Sequence, residues 1–280
     1  MDYENPKIKE GINYSREHPL KEFTTLVLGL VALTAALIAI LHYTAAYLAP
    51  YIPFEYEKSM LGNLPPVFEQ DEPGASAQEK QRYLQNLADR LSAHMDLPEG
   101  MEVVVSYLEQ DSVNAFATLG GNVFILDGLL DAVDSEDELA MVMAHEIAHV
   151  LHRHPIVAIG KGVTIATLGT VITGVSGSSA GEYLIGSTTQ LSVLKFSRDQ
   201  ETQSDRTALK ALVAEYGHAQ GARELFTLFA EIEPESAGVE VEIFRSHPFS
   251  DKRWQVLESY AEKSGWPTEG QLTPLPAIMQ

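Results

Sequence analysis

The sequence predicts a mainly α protein of the α+β class, with a small antiparallel β-sheet, preceded by one N-terminal transmembrane helix. A long apolar segment without charged residues lies near the N-terminus, and helical spacing of apolar residues recurs through most of the remaining chain. Strand-like composition is confined to short stretches between residues 101 and 126. The 280 residues allow one sizeable domain behind the anchor.

The composition excludes several classes of partner and of catalytic residue. The chain has 39 acidic and 19 basic residues, a formal net charge of −20, and no cysteine. An acidic surface repels phosphate backbones, so no nucleic acid partner is expected. The lack of cysteine excludes disulfides and thiolate catalysis, and it leaves only His, Asp and Glu as ligands for a transition metal.

Residues 23–50 are the predicted membrane anchor. No Asp, Glu, Lys or Arg occurs between Glu22 and Glu55, and about 20 apolar residues suffice to cross a bilayer. The segment is longer than the apolar part of a cleaved signal peptide, and it lacks the charged face of a soluble surface helix.

The orientation of the anchor follows from its flanks. Basic residues precede the segment, and mainly acidic residues follow it. The positive-inside rule therefore places the leader, residues 1–22, in the cytoplasm and the domain on the far side. In a bacterium this is a single-pass protein of the inner membrane with its domain in the periplasm.

The anchor is followed by three predicted regions. Residues 51–76 are rich in proline and are expected to form an extended linker. Residues 77–265 are the predicted domain. Residues 266–280 contain further prolines and are expected to be a flexible tail.

Within the domain, apolar spacing predicts a helix over 77–97 and a strand over 101–108. Two further short strands, 114–117 and 122–126, are joined across Gly120-Gly121, which indicates a hairpin. Ser135 and Glu138 then have the spacing of a capping box and open a helix that is expected to end near Pro155. Later helices are predicted over 193–216, 221–231 and 252–263.

Residues 156–175 are apolar but broken by glycines. A soluble or membrane-grazing helix beside the active site is favoured over a second membrane span, because no further segment would return the chain. The glycine- and serine-rich run that follows predicts a lid or plug over the cleft.

The predicted helix after Ser135 carries the pattern His145-Glu146-Ile147-Ala148-His149. Residues four apart lie one above the other on a helix, so both imidazoles can reach one metal ion. Glu146 lies about 100° round the helix, near the ion but not bound to it, where a general base must be to take a proton from water. The pattern predicts a zinc site, in which the metal activates water and polarises a carbonyl.

A third ligand must come from elsewhere. His152 lies about two turns, or 10.8 Å, from the first histidine of the pattern, and a zinc–nitrogen bond is only about 2.1 Å. His152 and His154 are expected to be structural or solvent-facing. Glu201, on a later helix, is the candidate ligand, and Asp205 one turn on can accept the N–H of a ligand histidine. A solvated charged face is the alternative for this pair.

Several blocks of the sequence resemble the gluzincin peptidases, which include the heat-shock protease HtpX, the CAAX prenyl endopeptidases, mitochondrial Oma-type proteases and periplasmic BepA. The resemblance runs from about Tyr83 to Leu257. The blocks are His145–His149, Arg153-His154, Ser197-Arg198 with Glu201 and Asp205, Ser246-His247-Pro248 with Arg253, and Asn114-Ala115-Phe116 followed by Gly120-Gly121.

The resemblance implies a zincin-type metallopeptidase domain that binds one zinc ion through His145, His149 and Glu201. It further implies that Glu146 is the base and that Asp205 orients His145. Polypeptides are the implied substrates. The single span favours misfolded or stalled envelope proteins over prenylated ones. A chaperone-like protein that holds clients without cutting them, and a zinc hydrolase of non-peptide substrates, are the alternatives.

Five further residues have open roles. His247 is a candidate oxyanion donor, with a resting zinc ligand and an ordinary surface histidine as alternatives. Arg253 is expected to anchor the segment around His247 to a carboxylate. Asn114, Ala115 and Phe116 are expected to form an edge strand that binds extended substrate through main-chain hydrogen bonds, or else an ordinary buried strand.

Overall fold

The computed structural model describes residues 19–62, 74–162, 194–232, 243–247 and 251–279. These residues form a helix-rich α+β domain that follows one long N-terminal helix, as predicted. The helices are α1 (Pro19–Leu48), α2 (Phe54–Gly62), α3 (Ala75–Ser92), α4 (Asp127–Ala132), α5 (Glu136–Leu151), α6 (154–162), α7 (Arg198–Tyr216), α8 (Gln220–Glu231), α9 (Ile243–Ser246) and α10 (Asp251–Ser264). Short 3₁₀ turns lie at Ala49–Tyr51, Leu119–Gly121 and Ala277–Met279.

The sheet has three strands, β1 (Val104–Leu108), β2 (Ala115–Ala117) and β3 (Asn122–Leu126), in the order β1-β3-β2. β2 and β3 form the predicted antiparallel hairpin. β1, however, pairs with β3 in parallel, so the sheet is mixed and the prediction of a wholly antiparallel sheet is wrong. The connection after β1 carries the chain past the position of β3, and the hairpin then returns β3 between the other two strands.

Helix α5 is the centre of the domain. It is buried from Glu136 to Val150 and packs against α3, α7, α8 and β2. The close approach of α8 depends on Gly221, where a Cβ would lie 2.4 Å from the Cβ of Asp137. Because α5 is enclosed along this whole length, its polar side chains must find partners inside the protein.

The region predicted as an extended linker contains α2. Glu57 of this helix is buried, accepts a hydrogen bond from the backbone N–H of Gly120 (3.1 Å) and pairs with Arg153 (2.8 Å). These contacts dock α2 on the turn before β3, and they could not be read from local proline content. Residues 63–73 of the predicted linker lie outside the described residues.

The chain after α10 is also more ordered than predicted. Thr273 accepts a hydrogen bond from the backbone N–H of Glu136 (2.9 Å) and donates its own N–H to Asp137 Oδ2 (2.8 Å). Leu275 and Met279 are buried. The prediction of a flexible tail is wrong, because this segment supplies partners to the N-terminal turn of α5.

The helical stretch Leu20–Tyr51 is long and apolar enough to cross a membrane, and it is the single such helix among the described residues. Its side chains are mostly exposed up to the C-terminal end. There Ala49 packs in an apolar cluster with four residues of the domain, Leu119, Ile156, Val157 and Ile159. The first part of the ambiguous segment 156–175 is therefore helical and contacts the end of α1, whereas residues 163–193 lie outside the described residues.

Candidate metal centre

Helix α5 begins where the capping signal predicts. The side chain of Ser135 accepts from the backbone N–H of Glu138 (3.3 Å), and its hydroxyl donates to Glu138 Oε2 (2.8 Å). From this start the helix is regular through the histidine pattern. His145 and His149 therefore lie one turn apart, with their Nε2 atoms separated by 2.9 Å.

Helix α7 brings Glu201 to the same point. Ser197 and Gln200 form a reciprocal capping box at its start, which places Glu201 in the first turn, facing α5. Glu201 Oε2 lies 3.5 Å from His145 Nε2, and Glu201 Oε1 lies 3.5 Å from His149 Nε2. The carboxylate from α7 thus converges with both imidazoles.

His247 closes the group from the side of α9. Its Nδ1 lies 3.0 Å from Glu201 Oε1 and 3.3 Å from His145 Nε2, and the residue is buried. Its backbone N–H donates to the carbonyl of Ile243 (2.9 Å), which fixes the segment. The alternative of an ordinary surface histidine is therefore wrong.

The four side chains fit a zinc ion. One ligand atom from each of His145, His149, Glu201 and His247 lies within 4.8 Å of the others. Ligand atoms of one tetrahedral zinc ion lie about 3.3 Å apart, because each bond is about 2.0–2.1 Å. The separations of 2.9–3.5 Å given above bracket that value. Imidazole and carboxylate donors are the set that zinc takes in a protein without cysteine ligands.

Glu146 lies beside this group. Both of its carboxylate oxygens are buried and, among the described residues, neither has a well-formed hydrogen bond. The ring of His247 lies next to it, with Nε2 3.4 Å from Glu146 Oε1. Burial raises the pKa of Glu146 above its ordinary value, and burial likewise lowers the pKa of His149 well below its own. An orphaned buried carboxylate is expected where a small polar molecule completes a site.

Asp205 and Arg253 lie next to the cluster. Asp205 Oδ1 lies 3.0 Å from His145 Nδ1, and Arg253 makes two hydrogen bonds to Asp205, of 2.9 and 2.7 Å. Burial opposes ionisation of Asp205, but the adjacent Arg253 outweighs it and lowers the pKa of Asp205. Burial would lower the pKa of His145, but the carboxylates of Asp205 and Glu201 raise it to about 10.

Strand β2 lies at one edge of the sheet and against α5. Asn114 and Thr118, which flank β2, form backbone hydrogen bonds with Leu126 (3.2 Å) and Asn122 (2.8 Å) of β3. In the alternating pattern of an antiparallel pair, Ala115 and Ala117 therefore direct their backbone groups away from β3. The backbone N–H of Ala117 faces the carboxylate of Glu146. The side chain of Phe116 points to the opposite face of the sheet. There its ring stacks on that of Phe124, with 4.9 Å between the ring centroids, in a small apolar cluster.

Two residues of the site were not foreseen. His154, expected to be structural or solvent-facing, is buried with its Nδ1 3.0 Å from His149 Nδ1. The ring of Phe196 is 4.0 Å from that of His149 and covers it. The pair Arg153-His154 was visible as a block of the family pattern, but no spacing rule brings a residue five positions later back to a helix face.

The histidine pair, the carboxylate from a second helix and the small sheet define the domain as a zincin-type metallopeptidase domain. Residues 78–261 match Peptidase family M48, and the chain belongs to this family. Zinc is the cofactor of M48 metallopeptidases, in agreement with the ligand set above.

The relatives of the chain carry protease names. This chain is 28% identical over 184 residues to the beta-barrel assembly-enhancing protease of Yersinia pestis. The aligned region covers 61% of this chain and 37% of that protein. The chain is 29% identical over 157 residues to the mitochondrial metalloendopeptidase OMA1 of Saccharomyces cerevisiae, covering 55% of this chain and 45% of that protein. The chain thus spans less than half the length of these relatives.

Proposed function

We propose that this chain is a membrane-anchored, zinc-dependent endopeptidase. The observation that carries the proposal is the convergence of His145, His149 and Glu201 within ligand distance of one point, with the buried carboxylate of Glu146 beside it. Family membership supports peptide-bond hydrolysis as the reaction.

His145, His149 and Glu201 would hold one zinc ion per chain. Zinc at such a site supplies a Lewis acid for the peptide carbonyl and lowers the pKa of water. Glu146 accepts the proton of the attacking water at a carboxylate oxygen and delivers it to the amine that leaves. Its raised pKa suits this exchange, because a general base works best when its pKa lies near the working pH.

His247 has two candidate roles, and the geometry favours one of them at rest. Its Nδ1 points at the ligand group, 3.0 Å from Glu201 Oε1, which supports a resting fourth ligand that must swing away before substrate binds. In the opened site the same ring could donate to the oxyanion. Replacing His247 by Ala distinguishes these roles: raised peptidase activity supports the resting ligand, lost activity supports the donor, and unchanged activity rejects both.

Polypeptide is the substrate class that the surroundings support. Asn114, Ala115 and Phe116 are buried. An extended chain would therefore add to the outward backbone groups of Ala115 only after this edge of the sheet is exposed. An apolar cavity opens between His145, Glu146 and His247. The cavity is lined by Met141, Val142, Leu225, Phe226, Phe229 and Ile243. A bound peptide would place an apolar side chain there.

The exposed apolar surface of α1 supports anchoring in a bilayer through residues 23–50. The charge bias of the flanks supports an N-terminus in the cytoplasm and a domain in the periplasm. With the protease names of the relatives, this points to quality control of misfolded or stalled envelope proteins. Protease accessibility of the domain in spheroplasts, but not in intact cells, is the expected result.

The direct test compares the wild type with Glu146→Gln for bound zinc and for cleavage of casein. The amide keeps the size of the side chain but cannot take a proton, so we expect about one zinc per chain in both proteins and at least a hundred-fold loss of cleavage. Glu231→Gln, at an exposed carboxylate on α8, is the matched control and should cleave like the wild type. A Glu146→Gln protein that still rescues a deletion strain would instead support the client-binding alternative.

A further inference from the structure

A zinc-ligating histidine usually donates its second ring N–H to a carboxylate, a carbonyl or water, and this partner fixes the ring. His145 has such a partner in Asp205, at 3.0 Å. Among the described residues, the second ring nitrogen of His149 has no carboxylate partner. Its Nδ1 lies 3.0 Å from Nδ1 of His154, a buried imidazole that the catalytic chemistry leaves unused.

We propose that His154 is a positioning residue that holds His149 in the tautomer and orientation needed to bind zinc. The inference rests on the proposed metal site and adds a residue to it. It is carried by the contact between the two Nδ1 atoms and by the hydrogen bonds that fix His154 from its other side.

The contact exists because α5 ends between the two residues. In a continuous helix, a residue five positions later is rotated by about 500°, so it faces away from the first residue. Here α5 ends at Leu151, and Arg153 adopts a left-handed backbone conformation with φ of 61°. This turn redirects the chain into α6, and His154 at the start of that helix folds back over His149.

The turn itself is held from the membrane side. A left-handed conformation is uncommon for arginine and costs free energy, so its surroundings must stabilise it. Arg153 pairs with Glu57 at 2.8 Å, donates to the carbonyl of Ile52 and lies over the ring of Phe54 at 5.4 Å. These three partners precede the domain in the sequence and lie in or next to α2.

Hydrogen-bond logic assigns the tautomers. Gln203 directs its Nε2 to His152 Nδ1 at 3.1 Å, so its carbonyl Oε1 faces His154 Nε2, at 3.4 Å. His154 therefore carries its proton on Nε2, and its Nδ1 is free to accept. His149 can then donate from Nδ1, which leaves the lone pair of its Nε2 directed at the ligand group. Ser204 Oγ, 3.3 Å from His154 Nδ1, supports the same ring position.

Both of these supporting residues belong to α7, the helix that carries Glu201. His152 bonds to Gln203 and to Thr207 Oγ1 (2.8 Å), so it helps to orient Gln203 and belongs to the proposed network. His94 instead pairs with Glu215 (2.9 Å), near the opposite end of α7 from Glu201, and is the matched control.

The test measures the zinc dissociation constant of the full-length detergent-solubilised protein by competition with a chelator. His154→Leu removes the acceptor while keeping an apolar side chain of moderate size, and we expect zinc to bind about 10- to 100-fold more weakly. His154→Asn, whose Oδ1 can take the place of Nδ1, should bind within a few-fold of the wild type. The control His94→Leu should also stay within a few-fold.

Unfolding temperatures of the metal-free proteins separate positioning from folding. Wild-type zinc affinity in His154→Leu, equal loss in the Asn and Leu variants, or equal loss in the control His94→Leu would each overturn the proposal. If His154→Leu does not fold, Gln203→Leu replaces it. That variant should weaken zinc binding two- to ten-fold, and unchanged affinity would overturn the proposal. A wild type that binds no zinc would refute the metal site itself, which is a distinguishable result.

Discussion

The two ends of α5 are held by different parts of the chain. At the N-terminal end, Glu136 accepts hydrogen bonds from Arg90 Nη2 (2.5 Å), from Tyr216 (2.8 Å) and from the hydroxyl of Tyr83. All of these partners belong to the domain. At the C-terminal end, the turn at Arg153 is held by α2 and the residues just before it, next to the predicted anchor.

The two buried carboxylates differ as well. Burial opposes ionisation at both, but at Glu136 the hydroxyl and guanidinium donors outweigh it and lower the pKa. At Glu57 burial prevails over the N–H of Gly120 and over Arg153, so the pKa is raised. The start of the helix is therefore stabilised by partners within the domain, whereas the end that precedes His154 depends on a pair between Arg153 and Glu57 of α2, which lies outside the domain.

The largest expected loss of unfolding free energy is at the C-terminal end of α5. Arg153→Ala leaves Glu57 buried without its charged partner, and breaking such a pair costs about 3–5 kcal/mol. Thermal unfolding of the purified protein should show this loss, accompanied by weaker zinc binding. Arg82→Ala, at an exposed arginine of α3, is the control and should unfold like the wild type. A stable Arg153→Ala protein would show that α2 does not hold the turn.

At the N-terminal end, Glu136→Gln keeps the shape but removes the charge that three donors share. Hydrogen bonds to a charged group contribute about 1.5–3 kcal/mol, and we expect a loss of unfolding free energy in this range at neutral pH. Because the pKa of Glu136 is lowered in the folded state, its contribution is present above pH 4.5 and is lost as the pH falls through the folded pKa. The wild type and the variant should therefore converge in stability under acid.

Glu57→Gln should show the opposite pH dependence. The pKa of Glu57 is raised on folding, so between its unfolded value of 4.5 and its folded value the folded state binds more protons. The wild type should thus lose stability relative to this variant as the pH rises through that interval. Chemical denaturation at a series of pH values measures both slopes, and slopes of equal sign would contradict the proposed difference between the two ends.

The smallest effect is expected for the cap. Ser135→Ala removes the acceptor for the N–H of Glu138, and loss of such a cap costs about 1 kcal/mol. Ser135→Thr should restore most of it, because threonine keeps the hydroxyl that accepts from the N–H of Glu138 and donates to Glu138 Oε2. A loss much above 2 kcal/mol would mean that the start of α5 has no reserve of other contacts.

The sequence was sufficient where local rules apply. The cap at Ser135 and the helical register fixed His145, Glu146 and His149 on α5, and the one-turn spacing of Glu201 and Asp205 indicated their position on a second helix. Their convergence was inferred from the chemistry of zinc, and the structure brings the ligand atoms together.

Features that depend on distant pairing were not accessible. The parallel partner of β1, the docking of α2 through Glu57 and the burial of Met279 each require a contact with a remote segment. The role inferred for His154 cannot be predicted from the sequence for a related reason. It depends on the left-handed conformation of Arg153, which no local propensity predicts for an arginine.

The C-terminal end of α1 is closely joined to the domain. Only residues 52 and 53 separate the 3₁₀ turn after α1 from α2. In α6, a Cβ added to Gly160 would lie 3.9 Å from the Cβ of Ala49 and 4.0 Å from the Cβ of Ala45. If α1 lies in a bilayer, as proposed above, this short, packed joint would limit how far the domain can move away from the lipid. The proposed anchor would then keep the candidate metal centre close to the membrane surface.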